Sequence, residues 1–293
     1  MNYIGIDIGG TNLKAGLVDE DGRLLAVKTM KIREVSDPDA LTDTLVALTR
    51  ELAQEGGVPM EEIASVGAGV PGVVDIRTGS IVYTCNLPLR NIPLRKLFKR
   101  RLGLHLYVEN DANCAGLAEA TLGSLKDIKE GYVIVLGTMI GGAYIKDRKV
   151  QRGHHFAAGE ISYINTLRDE VPTEESIWGN RCGTAGLCAR YAIKKGLPVN
   201  SVDGYVFFDA LSSGDPAAAE CLTKFARELA MQIFNLQTIL DPERFAIGGG
   251  ISARAELIDA VRKQLDILYD ACPYRIPRAE VVTSKFQNDA NLV

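Results

Sequence analysis

A carboxylate at the junction of a predicted strand and a predicted helix is the first feature of this sequence that could do chemistry. Asp111 stands in a Glu-Asn-Asp-Ala-Asn segment, where the strand ends and a helix of small residues begins. Ligands of α/β folds bind at the carboxyl ends of strands, and a carboxylate there can accept a proton from an attacking hydroxyl. The same position suits the N-cap of the helix. The pattern alone leaves a catalytic base and a helix cap as equal alternatives.

A glycine turn near the N-terminus, Asp-Ile-Gly-Gly-Thr-Asn-Leu-Lys, is predicted to join two strands. Gly9 and Gly10 let the backbone approach a phosphate, and Thr11 adds a hydroxyl donor. Lys14 brings a positive charge, and Asp7 at the strand end is placed to hold Mg²⁺ through water. A plain glycine hairpin explains the same residues equally well. The segment is not a P-loop, because no Gly-Lys-Ser/Thr opens a helix here.

A second turn of the same kind contains Gly137 and Thr138 and again follows an apolar strand. Two such turns that face each other across a cleft can hold the two ends of a triphosphate. A repeated turn arises by chance less often than a single one. The pair therefore favours a nucleotide site over two unrelated hairpins.

Alternating strands and helices are predicted to position these residues. The first series has strands at 3–8, 12–18, 23–31, 64–70 and 104–108, and helices at 38–55, 93–102 and 112–122. The second series has strands at 131–136, 141–145 and 243–247, and helices at 182–195, 216–239 and 253–270. This order predicts an α/β fold of two domains with a cleft between them. The predicted domains are a small N-terminal one, 1–112, and a larger C-terminal one, 113–293.

The composition is ordinary for a globular chain. Apolar residues make up 46 % and charged residues 24 %, and the net charge of −4 weighs against a nucleic-acid-binding protein. No apolar run reaches the roughly 18 residues of a membrane span, and the N-terminus lacks the features of a signal peptide. The six scattered cysteines favour free thiols. We therefore predict a cytoplasmic protein that binds neither nucleic acid nor membrane.

Five motifs, in order along nearly the whole chain, resemble the ROK family of bacterial sugar kinases and sugar-responsive repressors. They are Asp-Ile-Gly-Gly-Thr at 7–11, Val-Glu-Asn-Asp-Ala-Asn at 108–113, Leu-Gly-Thr at 136–138, Gly-Glu-Ile at 159–161 and Gly-Gly-Gly at 248–250. Each motif is weak alone, but the ordered set is specific. The resemblance implies the actin-like ATPase (ribonuclease H-like) fold shared with hexokinases. It also implies an ATP- and Mg²⁺-dependent phosphotransferase of the glucokinase type, and a homodimer.

The resemblance also implies a role for each matching position. Asp111 would be the base that deprotonates a sugar hydroxyl. The residues that would contact the sugar are Asn86, Asn110, Glu160 and Tyr163. The residues that would hold the phosphates of ATP are Gly9, Gly10, Thr11, Gly137 and Thr138. The residues that would lie against the adenosine are Gly248, Gly249 and Gly250. Phosphoryl transfer needs such positioning and charge stabilisation more than covalent catalysis.

The zinc site of most family members is incomplete in this sequence. Tyr163 stands where the family has a histidine ligand, and Asn180 and Leu187 replace two cysteines. Only Cys182 is in register, with Cys188 displaced by one position. A structural zinc site needs four good ligands, so we expect no metal here. The family's histidine also lies near the anomeric end of the sugar. With a tyrosine at this position, the segment resembles zinc-free members of the family that phosphorylate β-glucosides.

Further departures leave two alternatives to a kinase. Met139 and Ala143 replace glycines of the family and are expected to narrow the second turn, with strain on the order of 1 kcal/mol if Met139 needs a positive φ. The chain also ends at 288–293, where a terminal helix begins in the family. One alternative is an inactive sugar- or nucleotide-binding protein. The other is a repressor of the family that lacks its DNA-binding module. Such a module precedes the first glycine turn in family repressors, and here that turn starts at residue 7 and leaves no room for it. Glucose, mannose, an N-acetylhexosamine and a β-glucoside all remain candidate substrates.

Overall fold

The computed structural model describes residues 1–9, 12–31, 37–84, 89–167 and 171–293. Its strands are β1 (Asn2–Ile8), β2 (Asn12–Asp19), β3 (Leu24–Lys31), β4 (Ile63–Val70), β5 (Gly72–Asp75), β6 (Ser80–Thr84), β7 (Arg90–Ile92), β8 (Leu106–Asn110), β9 (Glu130–Leu136), β10 (Ile140–Lys146), β11 (Lys149–Val150), β12 (Arg244–Gly248) and β13 (Glu280–Thr283). Its helices are α1 (Pro38–Glu55), α2 (Leu94–Leu102), α3 (Asp111–Thr121), α4 (Trp178–Cys182), α5 (Thr184–Lys195), α6 (Gly204–Ser212), α7 (Pro216–Leu240) and α8 (Ala255–Ala271).

Two five-stranded sheets share one strand order. The first is β3-β2-β1-β4-β8 and the second is β11-β10-β9-β12-β13. In each sheet the first three strands are antiparallel and the last two run parallel to the third. Strands β5, β6 and β7 form a small antiparallel sheet of their own. The repeat places the two glycine turns at equivalent connections, β1–β2 and β9–β10.

Apolar spacing explains the core of the first half. Every second residue of β1 is buried (Ile4, Ile6 and Ile8), which is the period of a strand with one face in a core. Helix α1 has the predicted bounds because Asp37 caps it, accepting the N–H groups of the second and third residues after it. The buried leucines of α1 recur every three or four residues: Leu41, Leu45, Leu48 and Leu52. The strand face and the helix stripe share one core.

Helix α3 begins at the edge of the first sheet but packs on the second. A Cβ at Gly116 of α3 would come 2.7 Å from the Cβ of Ala143 on β10, so the glycine allows close approach. Because strand residues alternate between faces, Val133 of β9 lies on the α3 side, and Ile134 lies in the larger core with α5 and α7. The predicted domain boundary, after residue 112, falls in the first turn of α3. The division of the chain there stays a prediction.

Several elements differ from the sequence prediction. Strand β8 lies two residues later than 104–108, so Asn110 is its last residue. The small sheet, β11 and β13 were not predicted, because strands of two to five residues carry little periodic signal. Helices α4 and α6 were also not predicted. After β13 the chain returns to the first sheet, where a Cβ at Gly5 would come 2.3 Å from the carbonyl oxygen of Leu292. Among the described residues, no helix combines the length and the apolar character needed to cross a membrane.

Candidate active site

A cleft of about 280 Å³ lies between the two sheets. The predicted site residues that line it are Asp7, Gly9, Asn110, Asp111, Gly137, Thr138, Glu160, Tyr163, Gly249 and Gly250. Lys14 and Gly248 are not part of this lining. Gly10, Thr11 and Asn86 lie outside the described residues. The structure therefore brings together predicted residues from five separate segments of the chain.

The junction of β8 and α3 gives the capping role to Asn110 and leaves Asp111 to the cleft. The side-chain oxygen of Asn110 accepts the N–H of Asn113 at 3.0 Å, which is an N-cap hydrogen bond. Asp111 is the first helical residue, and its Oδ1 accepts the N–H of Ala112 at 2.9 Å. The alternative in which Asp111 is the cap is therefore excluded. Its carboxylate remains part of the cleft lining.

The electrostatics of the cleft make Asp111 more basic than an ordinary aspartate. Burial raises its pKa to about 6, and the charge of Asp7 adds to the shift. Burial also raises the pKa of Asp7, against the lowering effects of a 3.1 Å hydrogen bond from Asn291 and of the charge of Lys14. A carboxylate with a pKa near 6 is ionised at neutral pH and still accepts a proton readily.

Glu160 approaches the same junction from the second half. The side-chain amide of Asn110 donates to the carbonyl of Gly72 at 3.0 Å and to Oε1 of Glu160 at 3.4 Å. The turn before Glu160 needs Gly159, which has a φ of +96° and would bring a Cβ to 2.3 Å from a backbone oxygen of β10. Burial, followed by the charge of Asp111, raises the pKa of Glu160. These polar groups supply the donors and acceptors that hydroxyl groups require.

The β1–β2 turn contributes Asp7 and Gly9 to the cleft. The N–H of Gly9 donates to the carbonyl of Asn12 at 2.9 Å and closes the turn. Lys14 lies on β2, where its ammonium group pairs with the carboxylate of Asp289. The predicted phosphate contact of Lys14 would therefore have to compete with this ion pair.

The β9–β10 turn is one residue shorter than its counterpart. Three residues separate the paired positions Leu136 and Ile140, whereas four separate the paired positions Ile8 and Leu13, with Asn12 at the start of β2 as the last of the four. The N–H of Gly137 donates to the carbonyl of Met139 at 2.9 Å, and the carbonyl of Gly137 accepts the N–H of Thr184 at 2.8 Å. The turn is thus held from both sides, by its own backbone and by the start of α5.

Met139 lines the cleft without a left-handed φ, whereas Ala143 lies outside the cleft lining. Met139 has no left-handed φ, so the expected strain is absent. Its side chain extends toward α4, where its Cε lies 2.9 Å from the place that a Cβ of Gly179 would take. Ala143 is fully buried against α3 and does not line the cleft. The expectation that Ala143 narrows the turn is therefore wrong.

The three glycines after β12 have different surroundings. Gly248 ends the strand, and a Cβ there would meet the side chain of Ser284 at 3.1 Å. Gly249 has a φ of +91°, and a Cβ there would come 2.3 Å from the carbonyl oxygen of Leu136. A Cβ at Gly250 would stand in open space. The bare backbone of Gly250 therefore offers a surface on which a ligand can lie.

The side chains and backbone of the cleft fit a magnesium–nucleotide complex. Gly9, Gly137 and Gly250 expose backbone that no side chain covers. Asp7 supplies a carboxylate, and Mg²⁺ in kinases is held by one or two carboxylates together with the substrate phosphates and water. Among the described residues, no cluster of three or more His, Cys, Asp or Glu side chains is arranged to hold a metal. A magnesium ion here would therefore take some of its ligands from the phosphates of the nucleotide.

The position of the family's zinc site does not fit a metal. The thiol of Cys182 donates to a carboxylate oxygen of Glu228 at 3.3 Å. The side chain of Asn180 donates to a backbone carbonyl at 2.9 Å, and Leu187 is fully buried in the apolar core. Tyr163 is 47 % exposed and lines the cleft instead. Neither an amide that is already bonded nor a leucine can replace the missing cysteine ligands.

The C-terminal segment is the part of the site that sequence reasoning missed. The residues of this segment that line the cleft are Gln287, Asn288, Ala290 and Asn291. Their only signal was a run of Asn and Asp after the last strand. Gly72, the first residue of β5, also lines the cleft and has a φ of +124°.

Comparison with known proteins adds relatives along the whole chain. The sequence profile of the ROK family matches residues 3–293. A glucokinase of Streptomyces coelicolor is 30 % identical over 99 % of this chain and 95 % of its own length. A β-glucoside kinase of Klebsiella pneumoniae is 33 % identical over 90 % of this chain and 87 % of its own. The crystal structure of a ROK glucokinase of Streptomyces griseus with glucose and AMPPNP superimposes with a TM-score of 0.87, at 27 % identity over 100 % of this chain and 97 % of the other.

Proposed function

Because the chain belongs to the ROK family, we propose that it is an ATP-dependent sugar kinase in which Asp111 is the general base. Membership confirms the predicted family and the predicted actin-like ATPase fold. The sugar kinases among the relatives agree with the predicted enzyme class. The observation that carries the proposal is the buried carboxylate of Asp111, with a pKa raised to about 6, in a cleft lined by polar groups and glycine turns.

In the proposed reaction a hexose hydroxyl attacks the γ-phosphorus of ATP. The new P–O bond forms as the bond to the leaving ADP oxygen breaks, and Asp111 accepts the hydroxyl proton. Asn110 and Glu160 hold neighbouring hydroxyls, because their side chains meet beside Asp111. Gly137 uses its N–H to close its own turn, so Thr138, the next residue, is the proposed phosphate contact.

Asp7 is the proposed ligand of Mg²⁺, through water. When bound, this ion neutralises charge on the phosphates. The hydrogen bond from Asn291 holds the Asp7 carboxylate in one orientation. Gly249 and Gly250 are proposed to lie against the adenosine, with Gly248 behind them in the strand.

The 6-hydroxyl of glucose or of a β-glucoside is the proposed acceptor. Tyr163 lines the cleft and is half exposed, so it leaves an open path for a substituent on the anomeric carbon. The relative from Klebsiella pneumoniae supports a β-glucoside as the second candidate. A comparison of glucose with cellobiose separates the two candidates.

The test is ADP release with ATP and Mg²⁺ against glucose, mannose, N-acetylglucosamine and cellobiose. We expect at least one sugar to raise the rate well above the rate with ATP alone. A rate that no sugar changes would contradict the proposal and favour an inactive binding protein.

We also propose that the chain is a homodimer. Large apolar side chains are exposed on α5 and α6, with Ile193 at 68 % and Tyr205 at 76 %. Sedimentation equilibrium should give twice the monomer mass, and a monomer at all concentrations would contradict this.

A further inference from the structure

An ion pair links the segment before Glu160 to the strand end before Asp111. Arg152 follows β11, and its Nε and Nη2 donate to Oε2 of Glu109 at 2.7 and 2.6 Å. Glu109 lies on β8, so the pair spans the two sheets. The Glu109 side chain is 12 % exposed. A carboxylate that is buried to this extent is stable only when its remaining lone pairs are also hydrogen-bonded.

The second oxygen of Glu109 holds the backbone on which Asp111 stands. Oε1 accepts the N–H of Asn110 and the side-chain amide of Asn113, each at 3.0 Å. Glu109 therefore fixes the residue before Asp111 and a residue one half-turn after it. A change in the Glu109 rotamer would move the first turn of α3 and with it the Asp111 carboxylate.

Arg152 also fixes the loop that leads to Glu160. Its carbonyl accepts the N–H of Ala158 at 3.1 Å, which closes the loop at its base. Gly153 and Gly159 stand at the two ends of the loop with φ values of +69° and +96°. The guanidinium group ties this closed loop to the end of β8, and Glu160 follows directly after the second glycine.

The cleft is acidic, which gives the guanidinium group a second effect. Asp7 and Asp111 repel each other, as do Asp111 and Glu160. Glu109, which accepts the N–H of Asn110, adds a fourth carboxylate beside the β8–α3 junction. Arg152 compensates the charge of Glu109 in direct contact, where the Coulomb attraction is strongest.

We propose that Arg152 and Glu109 are positioning residues that set the orientation of the Asp111 base relative to Glu160. The proposal rests on the proposed kinase function. Neither Arg152 nor Glu109 lines the cleft, so both act through the backbone and the loop that they hold. The pair connects the first half's contribution to the site, at the β8–α3 junction, with the second half's contribution, after β11.

A double-mutant cycle of Arg152→Ala and Glu109→Gln tests the pair. We expect each single variant to lower kcat/KM for the sugar about 10- to 100-fold, because a displaced base and sugar contact lose alignment. The double variant should have a kcat/KM no lower than that of the less active single variant. Arg152→Lys should retain part of the kcat/KM that Arg152→Ala loses. The matched control is Arg278→Ala, which removes an exposed arginine paired with two carboxylates of α8. This control should leave kcat/KM within about twofold.

Amide hydrogen exchange gives a readout that does not depend on turnover. The N–H of Asn110 should exchange faster in Arg152→Ala and Glu109→Gln than in the wild type, and its exchange should be unchanged in the control variant. Additive losses in the cycle, or unchanged exchange at Asn110 in the two test variants, would overturn the proposal. If the wild type turns over no sugar, the kinase function fails by itself, and the exchange rates still decide whether the pair positions the backbone.

Discussion

The two halves of the chain build the same five-stranded sheet and use its edge differently. In the first half β8 runs directly into α3, which places Asn110 and Asp111 at the cleft. In the second half the residues after β13, Lys285 and Phe286, donate their backbone N–H groups to the buried carboxylate of Glu119 at 3.1 and 3.0 Å. One edge thus presents a carboxylate to the cleft, and the other edge binds a carboxylate of α3. The two sheets share one strand order, so the difference between these two edges lies in the segment that follows the last strand of each sheet.

Removal of the carboxylate that distinguishes the first half should have the largest effect. Asp111→Asn keeps the size of the side chain but cannot accept a proton, so we expect kcat to fall about 10²- to 10⁴-fold. The corresponding change in the second half is Ser284→Ala, at the buried residue after β13. It should leave kcat within about threefold, as a small change away from the chemistry. ADP release at saturating substrates measures both, and equal losses would contradict the comparison.

Substitutions at two helix caps separate an effect on stability from an effect on catalysis. Asn110 caps α3 in the cleft, whereas Asp203 caps α6 outside it by accepting the N–H of Val206 at 2.9 Å. Each change to alanine should lower the free energy of unfolding by about 1 kcal/mol. Only Asn110→Ala should also lower kcat/KM for the sugar, by about 10- to 100-fold, because it leaves a sugar hydroxyl without its partner. Urea unfolding and initial rates measure the two effects, and similar kinetics for both variants would refute the role of Asn110.

The predictable parts of this molecule are those that local spacing determines. The leucine repeat and the Asp-Pro start were sufficient for the bounds of α1, and the glycine turns were found from a few adjacent residues. Strand β8 was placed two residues early, because Leu104 continues the alternation of Leu106 and Val108. The strand instead extends to Asn110, whose burial depends on tertiary contacts.

The parts that spacing cannot predict are pairs of residues far apart in the chain. Lys14 was expected at a phosphate and pairs with Asp289, 275 residues later. Arg152 lies 43 residues after Glu109, and no local pattern connects the two residues. Charges of this kind have no local pattern, since many partners of opposite sign are available and only the fold selects one.

Two adjacent glycines after β12, Gly249 and Gly250, should respond differently when each is changed to alanine. Gly249→Ala forces a side chain into a left-handed φ beside a backbone oxygen, so we expect a loss of about 1–3 kcal/mol in stability. Gly250→Ala has room within the protein and should not change the melting temperature. If the adenosine lies on Gly250, the added methyl group should raise KM for ATP about 5- to 10-fold, by overpacking that contact. An unchanged KM would remove Gly250 from the nucleotide site.

The ion-pair cluster at the position of the family's zinc site should have the smallest effect on activity. Arg181 and Arg190 both pair with Glu228, and Cys182 donates to it. Burial acts to raise the pKa of Glu228, but the hydrogen bond and charge of Arg190 lower it overall. Because the folded-state pKa is lowered, the stabilisation is present above the ordinary pKa and is lost as the pH falls through the lowered value.

Glu228→Gln should therefore lower the free energy of unfolding by about 1–3 kcal/mol at neutral pH, because two arginines lose their partner. The exposed Glu220→Gln, which removes surface pairs with Lys194 and Lys224, should change the free energy of unfolding by less than about 0.5 kcal/mol. A zinc chelator should not alter the melting temperature of the wild type. A chelator-induced fall would show that a metal stabilises this region.

The most direct test of the account is the pH dependence of kcat/KM for the sugar. Asp111 must be ionised to accept the proton, and its pKa is raised to about 6. We therefore expect kcat/KM to fall about tenfold per pH unit below about pH 6 and to be level above it. A profile that stays flat down to about pH 4, the range of an ordinary aspartate, would contradict the assignment of Asp111 as a buried base.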